Sequence, residues 1–483
     1  MQEFQLLIGG KSVAARGGKT VDRIDPVTGE IASRAPAATL EDADAAVAAA
    51  AAAFPAWKAL TATERRKRLN KAADLMDSWT PRFIEIGVAE TGATPMWIGF
   101  NVMLAANMLR EAASMTTRIT GEVLPTDVPG NLAMAQRVPA GVVLGIAPWN
   151  APVILGTRAV AMPLACGNTV VLKAAESCPG LHSLIGAALQ EAGLGDGVIN
   201  VVTNAPADAA AIVERLIANP AVRRVNFTGS THVGRIIAEL SAKHLKPALL
   251  ELGGKAPLLV LHDADLDEAA AAANFGAFMN QGQICMSTER LIVDKRVADS
   301  FVAKLAAKAK GLVAGDPRRK DVQLGSLVSK EAAVRIKALV DDAVAKGAQL
   351  KAGGQVEGAI MQATVVDGVT PAMRLYSEES FGPVVAVIHA EDDDDAVRLA
   401  NDSPYGLSAA VFSRDVARAI DIAGRVESGI CHVNGPTVHD EANMPFGGVK
   451  DSGYGRFGAQ ASIAEFTDLR WITVQKTHRH YPI

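Results

Sequence analysis

The string Phe278-Met279-Asn280-Gln281-Gly282-Gln283-Ile284-Cys285 ends on a cysteine. Leu250-Glu251-Leu252-Gly253-Gly254-Lys255 lies upstream of it, and Pro148-Trp149-Asn150 lies further back. Together they offer a thiol nucleophile, a carboxylate base and an amide donor. That set is what covalent oxidation of an aldehyde requires. An aldehyde has no leaving group that water can displace, but a thiolate can add to its carbonyl and give a tetrahedral thiohemiacetal. The oxyanion then collapses by expelling hydride to a nicotinamide, and an activated water must hydrolyse the resulting thioester. Cys285 suits the covalent step, because a thiolate is the strongest side-chain nucleophile near neutral pH. Asn150 can donate its amide N–H to the oxyanion beside the backbone N–H of Cys285. Glu251 can take the proton of the hydrolytic water. The two glycines after Glu251 are expected to leave its backbone mobile enough to swing in.

Each string alone has an ordinary explanation: a small buried thiol, a strand end, a turn. The ordered set is different. With Phe227-Thr228-Gly229-Ser230-Thr231, Glu379-Ser380-Phe381-Gly382-Pro383 and Pro445-Phe446-Gly447-Gly448 added, the chain resembles the NAD(P)-dependent aldehyde dehydrogenase superfamily over nearly its whole length. The resemblance implies an α/β fold of two doubly wound domains, one for the cofactor and one carrying the nucleophile, plus a small β arm used for oligomerisation. It also implies roles for Cys285, Glu251 and Asn150 matching those just derived.

Composition agrees with a large soluble enzyme. At 483 residues and 49% hydrophobic content the chain exceeds one usual core. A formal net charge of −4 gives no reason to expect nucleic acid, and no basic run points to a membrane. The four cysteines, Cys166, Cys178, Cys285 and Cys431, form no paired motif, which fits free thiols in a reducing cytoplasm. The N-terminus lacks a basic start and an apolar core, so no signal peptide is read. The alanine-rich run 43–53 follows Glu41-Asp42 and reads as a soluble helix. The scattered histidines, including the pair flanking Arg479, show no metal-ligand spacing, and no metal is expected.

Short apolar runs at 142–146, 169–172, 198–202, 224–227 and 248–252 alternate with helical patterns starting near Pro152, Pro179, Ala207 and Thr231. Such runs are expected of strands covered on both faces, and the alternation implies a parallel sheet binding ligands at its carboxyl edge. A second series has strands at 257–261, 290–293, 383–388, 409–412 and 430–434 and helices near Asp265, Val297, Asp394 and Ala417. Taken with the resemblance, this implies the boundaries 1–119 with 140–252 for the cofactor domain, 253–462 for the catalytic domain, and 120–139 with 463–483 for the arm. The arm is preferred over a surface hairpin with a disordered tail, because Trp471-Ile472-Thr473-Val474 is too apolar to leave in water. By resemblance the arm pairs with another subunit, in a homodimer or homotetramer.

The strand at 224–227 runs into Thr228-Gly229-Ser230, which opens a helix, and a helix N-terminus offers free N–H groups to a pyrophosphate. By resemblance Gly229 and Ser230 line the cofactor diphosphate, Lys173 and Glu176 bind the adenosine ribose, and Glu379 and Phe381 hold the nicotinamide end. Ile146, Pro148, Trp149 and Leu252 complete that set. A carboxylate at Glu176 suits NAD and repels the 2′-phosphate of NADP. Ala174 replaces the proline usual in the family after the lysine.

On a helix after Asn150, Leu155 and Arg158 share a face with Ala151. With Ile284, Met286, Phe446 and Trp97 they make a mostly apolar wall suited to a flat ring. Arg158 needs a partner, either a buried carboxylate of the protein or a polar or anionic group on the substrate. The segment 150–158 resembles the branch acting on salicylaldehyde, vanillin and hydroxybenzaldehyde, which implies an aromatic aldehyde as substrate. Succinate-semialdehyde enzymes, the alternative, also carry this arginine. They typically add a second one where this chain has Met279.

Overall fold

Five strands, Ala248–Glu251, Val222–Thr228, Val142–Ile146, Thr169–Lys173 and Ile199–Val202, lie side by side in that order and all run parallel. The middle ones are buried at every position, because helices cover both faces. Pro152–Ala165 is buried along its entire length, and Pro179–Glu191 packs beside it. The structure, a computed structural model, describes residues 1–483. Antiparallel strands extend this sheet to eight: Leu6–Ile8 and Lys11–Val13 at one edge, Gly453–Tyr454 at the other.

After Glu251 the chain passes through only Leu252–Lys255 before entering the second sheet at Ala256–Val260. That sheet has seven strands, in the order Gln349–Ala352, Thr364–Asp367, Val384–Ala390, Thr288–Asp294, Ala256–Val260, Ser408–Phe412, Ile430–Val433. All are parallel except the first. The carboxyl end of one sheet is thus tied to the start of the other by a four-residue strap, and the candidate site residues lie around it.

The two βα series fall where the apolar runs place them, with small shifts. The strand at 169 extends to Lys173, and a 3₁₀ turn Pro206–Asp208 precedes the helix Ala209–Ala218. The alanine-rich segment is the helix Leu40–Ala59, started by a reciprocal cap in which the Thr39 hydroxyl accepts from the Asp42 N–H and the Asp42 carboxylate accepts from the Thr39 N–H. The sequence reading omits the helix Lys330–Ala345 and the strand Thr364–Asp367. No helix is long and apolar enough to cross a membrane.

Residues 120–139 and 463–483 do come together. Thr467–Val474 pairs antiparallel with Leu132–Pro139, and Glu122–Leu124 adds a third strand. A hairpin with an unpaired tail is therefore not what forms. Trp471 remains 74% exposed on the outer strand.

The stretch before the arm differs from the reading that keeps 253–462 in one domain. Gly453–Tyr454 hydrogen-bonds to Ala248–Glu251 of the first sheet. The helix Ala459–Glu465 packs on Pro95–Met115 and Pro152–Ala165, and Phe457, Ile463 and Phe466 sink into the first core. The reason is local: this short helix has one apolar face, and the first domain's helices offer the surface that buries it. Ile463→Ala should therefore destabilise the protein by about 2–5 kcal/mol, as for a fully buried aliphatic, whereas exposed Ile420→Ala should cost less than about 1 kcal/mol. Urea unfolding followed by tryptophan fluorescence measures both. Equal small losses would contradict this placement.

Candidate active site

The nucleophile loop is strained and then clasped. After the helix Leu266–Phe278 the chain makes a 3₁₀ turn, Met279–Gly282, in which Asn280 (φ 48°), Gln281 (φ 55°) and Gly282 (φ 68°) are successively left-handed. For the two non-glycine residues this is unfavourable by about 1–3 kcal/mol each and persists only if the surroundings impose it. They do. The Asn280 amide donates to the Asn150 carbonyl at 2.9 Å, and the Asn150 amide donates back to the Gln283 carbonyl at 2.9 Å. Gln281 donates to the Ser326 carbonyl at 3.0 Å, and Gln283 accepts from the Val328 N–H at 3.0 Å. The indole N–H of Trp97 closes the set on the Asn150 carbonyl at 3.0 Å. Trp97 lines the cavity as the sequence reading has it, and it also fixes Asn150. One hydrogen of the Asn150 amide is used in the clasp, which leaves the other for an oxyanion at Cys285.

Glu251 ends its strand fully inside the protein, and neither carboxylate oxygen has a hydrogen-bond partner. Burial raises its pKa to about 7, opposed by the nearby Cys285 thiol and Arg158. Burial and the charge of Glu251 in turn push the Cys285 thiol well above its ordinary value. The two groups therefore share at most one negative charge near neutral pH.

The glycines after Glu251 allow a close approach that the mobility expectation did not include. A Cβ on Gly253 would lie 2.8 Å from Glu379 Oε2, and one on Gly254 would run into the Cys285 carbonyl oxygen. The Gly254 N–H donates to Glu379 at 2.8 Å, and the Ser452 hydroxyl donates to the Gly253 carbonyl at 2.7 Å. The pair lets the strap pass against the nucleophile loop, and it is tied at both residues.

Cys285 stands where two cavities meet. One, of about 500 Å³, is largely apolar and is lined by Trp97, Leu155, Arg158, Ile284, Met286 and Phe446, all six residues the sequence reading proposes. Phe100, Phe275, Val438 and Asp440 also line it and were not anticipated. Arg158 and Asp440 form a buried ion pair, and the guanidinium stacks 4.1 Å from the Phe446 ring centre. Of the two partners left open for Arg158, the protein carboxylate is present.

The other cavity, of about 340 Å³, is more polar and is lined by Pro148, Trp149, Gly229, Ser230, Leu252, Glu379 and Phe381. Thr228 and Arg335 join them unanticipated. The rings of Trp149 and Phe381 face each other edge-on at 5.8 Å. Ile146, Lys173 and Glu176 do not line this cavity. Ile146 and Lys173 are register partners at the carboxyl ends of adjacent strands, and Glu176 pairs with Lys173 and accepts from Asn204 at 2.9 Å. Burial works against ionisation of Glu176, but Lys173 and Asn204 outweigh it and hold the carboxyl below its usual range.

These residues fit a dinucleotide. At Gly229 a Cβ would strike the Phe227 ring, so glycine keeps the backbone open at the start of the helix Thr231–Lys243, where Ser230 is the N-cap. Glu379 is held at the inner end: burial and the charge of Glu289 raise its pKa to about 7. Glu289 itself is paired with buried Lys255 at 2.5 Å and accepts from the N–H groups of Ser380 and Phe381. Lys255 in the strap thus anchors the segment that carries Glu379 and Phe381.

Elsewhere His262, Asp294 and Asp393 converge, but Arg296 and Arg418 already pair with the two carboxylates, and Arg418 meets the His262 ring at 3.1 Å. All four cysteines are free thiols.

A model of the aldehyde dehydrogenase family matches residues 13–472. A vanillin dehydrogenase from Pseudomonas fluorescens is 70% identical over 100% of both chains. A benzaldehyde dehydrogenase [NAD(+)] from Pseudomonas putida is 40% identical over 97% of this chain and 96% of its own. The crystal structure of a salicylaldehyde dehydrogenase from Pseudomonas putida G7, complexed with salicylaldehyde, superposes with a TM-score of 0.98 at 47% identity, covering 100% of each chain.

The coupling of Glu251 to Cys285 has a measurable sign. Removing the carboxylate charge lowers the thiol pKa and exposes more thiolate. Glu251→Gln should therefore speed alkylation of Cys285 by iodoacetamide at pH 8 by about tenfold, the effect of one nearby like charge. An unchanged or slower rate, read by mass spectrometry of the peptide, would contradict the coupling.

Proposed function

Because the chain belongs to the aldehyde dehydrogenase family, whose enzymes oxidise aldehydes with NAD or NADP, we propose that its substrate is an aromatic aldehyde of the hydroxybenzaldehyde type and its cofactor NAD. The observation that carries this is the position of Cys285, at the junction of an apolar cavity sized for a ring and a polar cleft fitted to a dinucleotide. The names of the vanillin, benzaldehyde and salicylaldehyde enzymes support the same substrate class.

Cys285 adds to the aldehyde carbon as its thiolate, the thiol proton having passed to solvent. The Asn150 amide and the Cys285 backbone N–H hold the oxyanion of the thiohemiacetal. A nicotinamide bound in the polar cleft would supply the acceptor for the hydride that leaves this carbon as the thioester on Cys285 forms. Glu251, ionised above about pH 7, then deprotonates a water that attacks the thioester and releases the acid. Trp149, Gly229, Ser230, Glu379 and Phe381 would hold the cofactor in the cleft, while Lys173, Glu176 and Ile146 would take its adenosine end.

The runner-up substrate, a carboxylate-bearing aliphatic semialdehyde, is poorly served. Met279 lines the apolar cavity where a second cation would be needed, and Asp440 cancels the charge of Arg158. The same reading takes the protein to be a cytoplasmic homodimer or homotetramer. Exposed Leu469 and Trp471 on the outer strand of the arm support a subunit contact there. The three units, for cofactor, catalysis and oligomerisation, belong to this reading as well.

One kinetic panel tests it. The wild type should give a higher kcat/KM with benzaldehyde and its hydroxylated forms than with succinate semialdehyde, and a higher one with NAD than with NADP. Glu176→Gln should narrow the cofactor gap by about fivefold to thirtyfold, the worth of one charged hydrogen-bonding group. Preference for succinate semialdehyde over every aromatic would overturn the substrate reading, and preference for NADP would overturn the cofactor reading.

A further inference from the structure

Asp440 leaves one thing unexplained. Its Oδ2 takes the hydrogen bond from Arg158 Nη2, but its Oδ1 is buried with no partner, and the side chain is only 9% exposed. A sealed carboxylate oxygen without a donor is unfavourable and calls for a missing group. Arg158 is in the mirror-image position: Nη2 is committed to Asp440, and the guanidinium makes no other hydrogen bond. The remaining polar side chains of this cavity are spoken for. Asn150 and Cys285 belong to the reacting end, the Trp97 N–H is bound to the Asn150 carbonyl, and His439 is exposed and paired with Glu441 at 2.9 Å.

We propose that Arg158 and Asp440 form a recognition dyad for a neutral ring hydroxyl, with Asp440 as a specificity-determining residue. A phenol O–H donates one hydrogen and accepts through its lone pairs. It can give its hydrogen to Asp440 Oδ1 and accept from Arg158, after a small rotation of the carboxylate toward the cavity. A phenolate or a carboxylate can only accept, so Asp440 repels it, and an unsubstituted ring leaves both groups unmet. The inference rests on the aromatic reading above and sharpens it: the ligand is the neutral phenol, not the phenolate that a lone arginine would select. Five ionisable groups face the dyad. Glu251 and Cys285 lie on the reacting side, His439 and Glu441 on its own loop, and Glu111 on the helix Pro95–Met115 behind it.

The test compares 2-, 3- and 4-hydroxybenzaldehyde, each with its methyl ether, from pH 6 to 10 in the holoenzyme. Taking the ratio of kcat/KM within each pair cancels the ionisation of the enzyme's own groups. In the wild type the ratio for the best-fitting isomer should be high where the phenol is neutral and fall at least fivefold as it ionises. Asp440→Asn should lower that ratio on the order of tenfold at low pH and reverse its slope, because Arg158 then faces the ring unneutralised. The intrinsic effect of a phenolate on carbonyl reactivity is the same in both proteins, and in the 3-isomer the phenolate is not conjugated with the carbonyl. That wild-type comparison therefore decides the matter even if the variant fails to fold. Ratios that ignore phenol ionisation and the substitution, with benzaldehyde still oxidised, would overturn the dyad and leave the aromatic reading standing. Failure to oxidise benzaldehyde or any of the panel would overturn both.

Discussion

Everything at this site hangs on the clasp between Asn150 and the loop that carries Cys285. Asn150 ends the path from the first sheet, and Cys285 ends a left-handed turn of the second. Their two reciprocal hydrogen bonds join the two sheets' segments beside the Cys285 thiol and the Asn150 amide. The clasp holds Asn280 and Gln281 in a conformation they would otherwise leave, so the strain is balanced by contacts from the opposite domain. The Leu252–Lys255 strap works to the same end. Its glycines pass against Glu379 and the Cys285 carbonyl, and its lysine anchors the Glu379–Phe381 segment through Glu289. Nucleophile, base and cofactor cleft are therefore positioned by one short stretch of chain.

Charge is handled by cancellation. Glu251, buried, and Glu379, half-buried, are carboxyls whose pKa values rise to about 7, so each gains or loses its charge near neutrality at small cost. Lys255 and Glu289 neutralise each other in the interior, as do Arg158 and Asp440 in the apolar cavity. A cavity with no net charge favours a neutral ring over an anion, which is how the electrostatics bear on substrate choice.

The apolar runs made both parallel sheets legible, because strands covered on both faces leave no alternation to confuse the pattern. Asn150, Glu251, Cys285 and most of the residues lining the apolar cavity could be picked out because they lie in a short motif or on one helical face; Trp97 had neither mark. What was not legible depends on contacts far apart in sequence. Asp440 meets Arg158 across 282 positions, in a loop with no periodicity to mark it. Arg335 reaches the cleft from an element whose sequence carries no motif for it, whereas Thr228 lies inside a quoted motif without being singled out. Gly253 and Gly254 were visible, but their close approach was not: freedom is a property of glycine alone, whereas close approach is a property of what lies opposite. The return of Gly453–Tyr454 to the first sheet escaped notice because two residues carry no pattern.

In the proposed reaction Cys285 bonds to the aldehyde carbon and Glu251 is needed to release it. Intact-protein and peptide mass spectrometry of Glu251→Gln, mixed with benzaldehyde and NAD and quenched in acid, tests this most directly. The account predicts one acyl group per active chain, on the peptide containing Cys285, and none with Cys285→Ala. NADH formation at wild-type rate with no acyl group on Cys285 would contradict it.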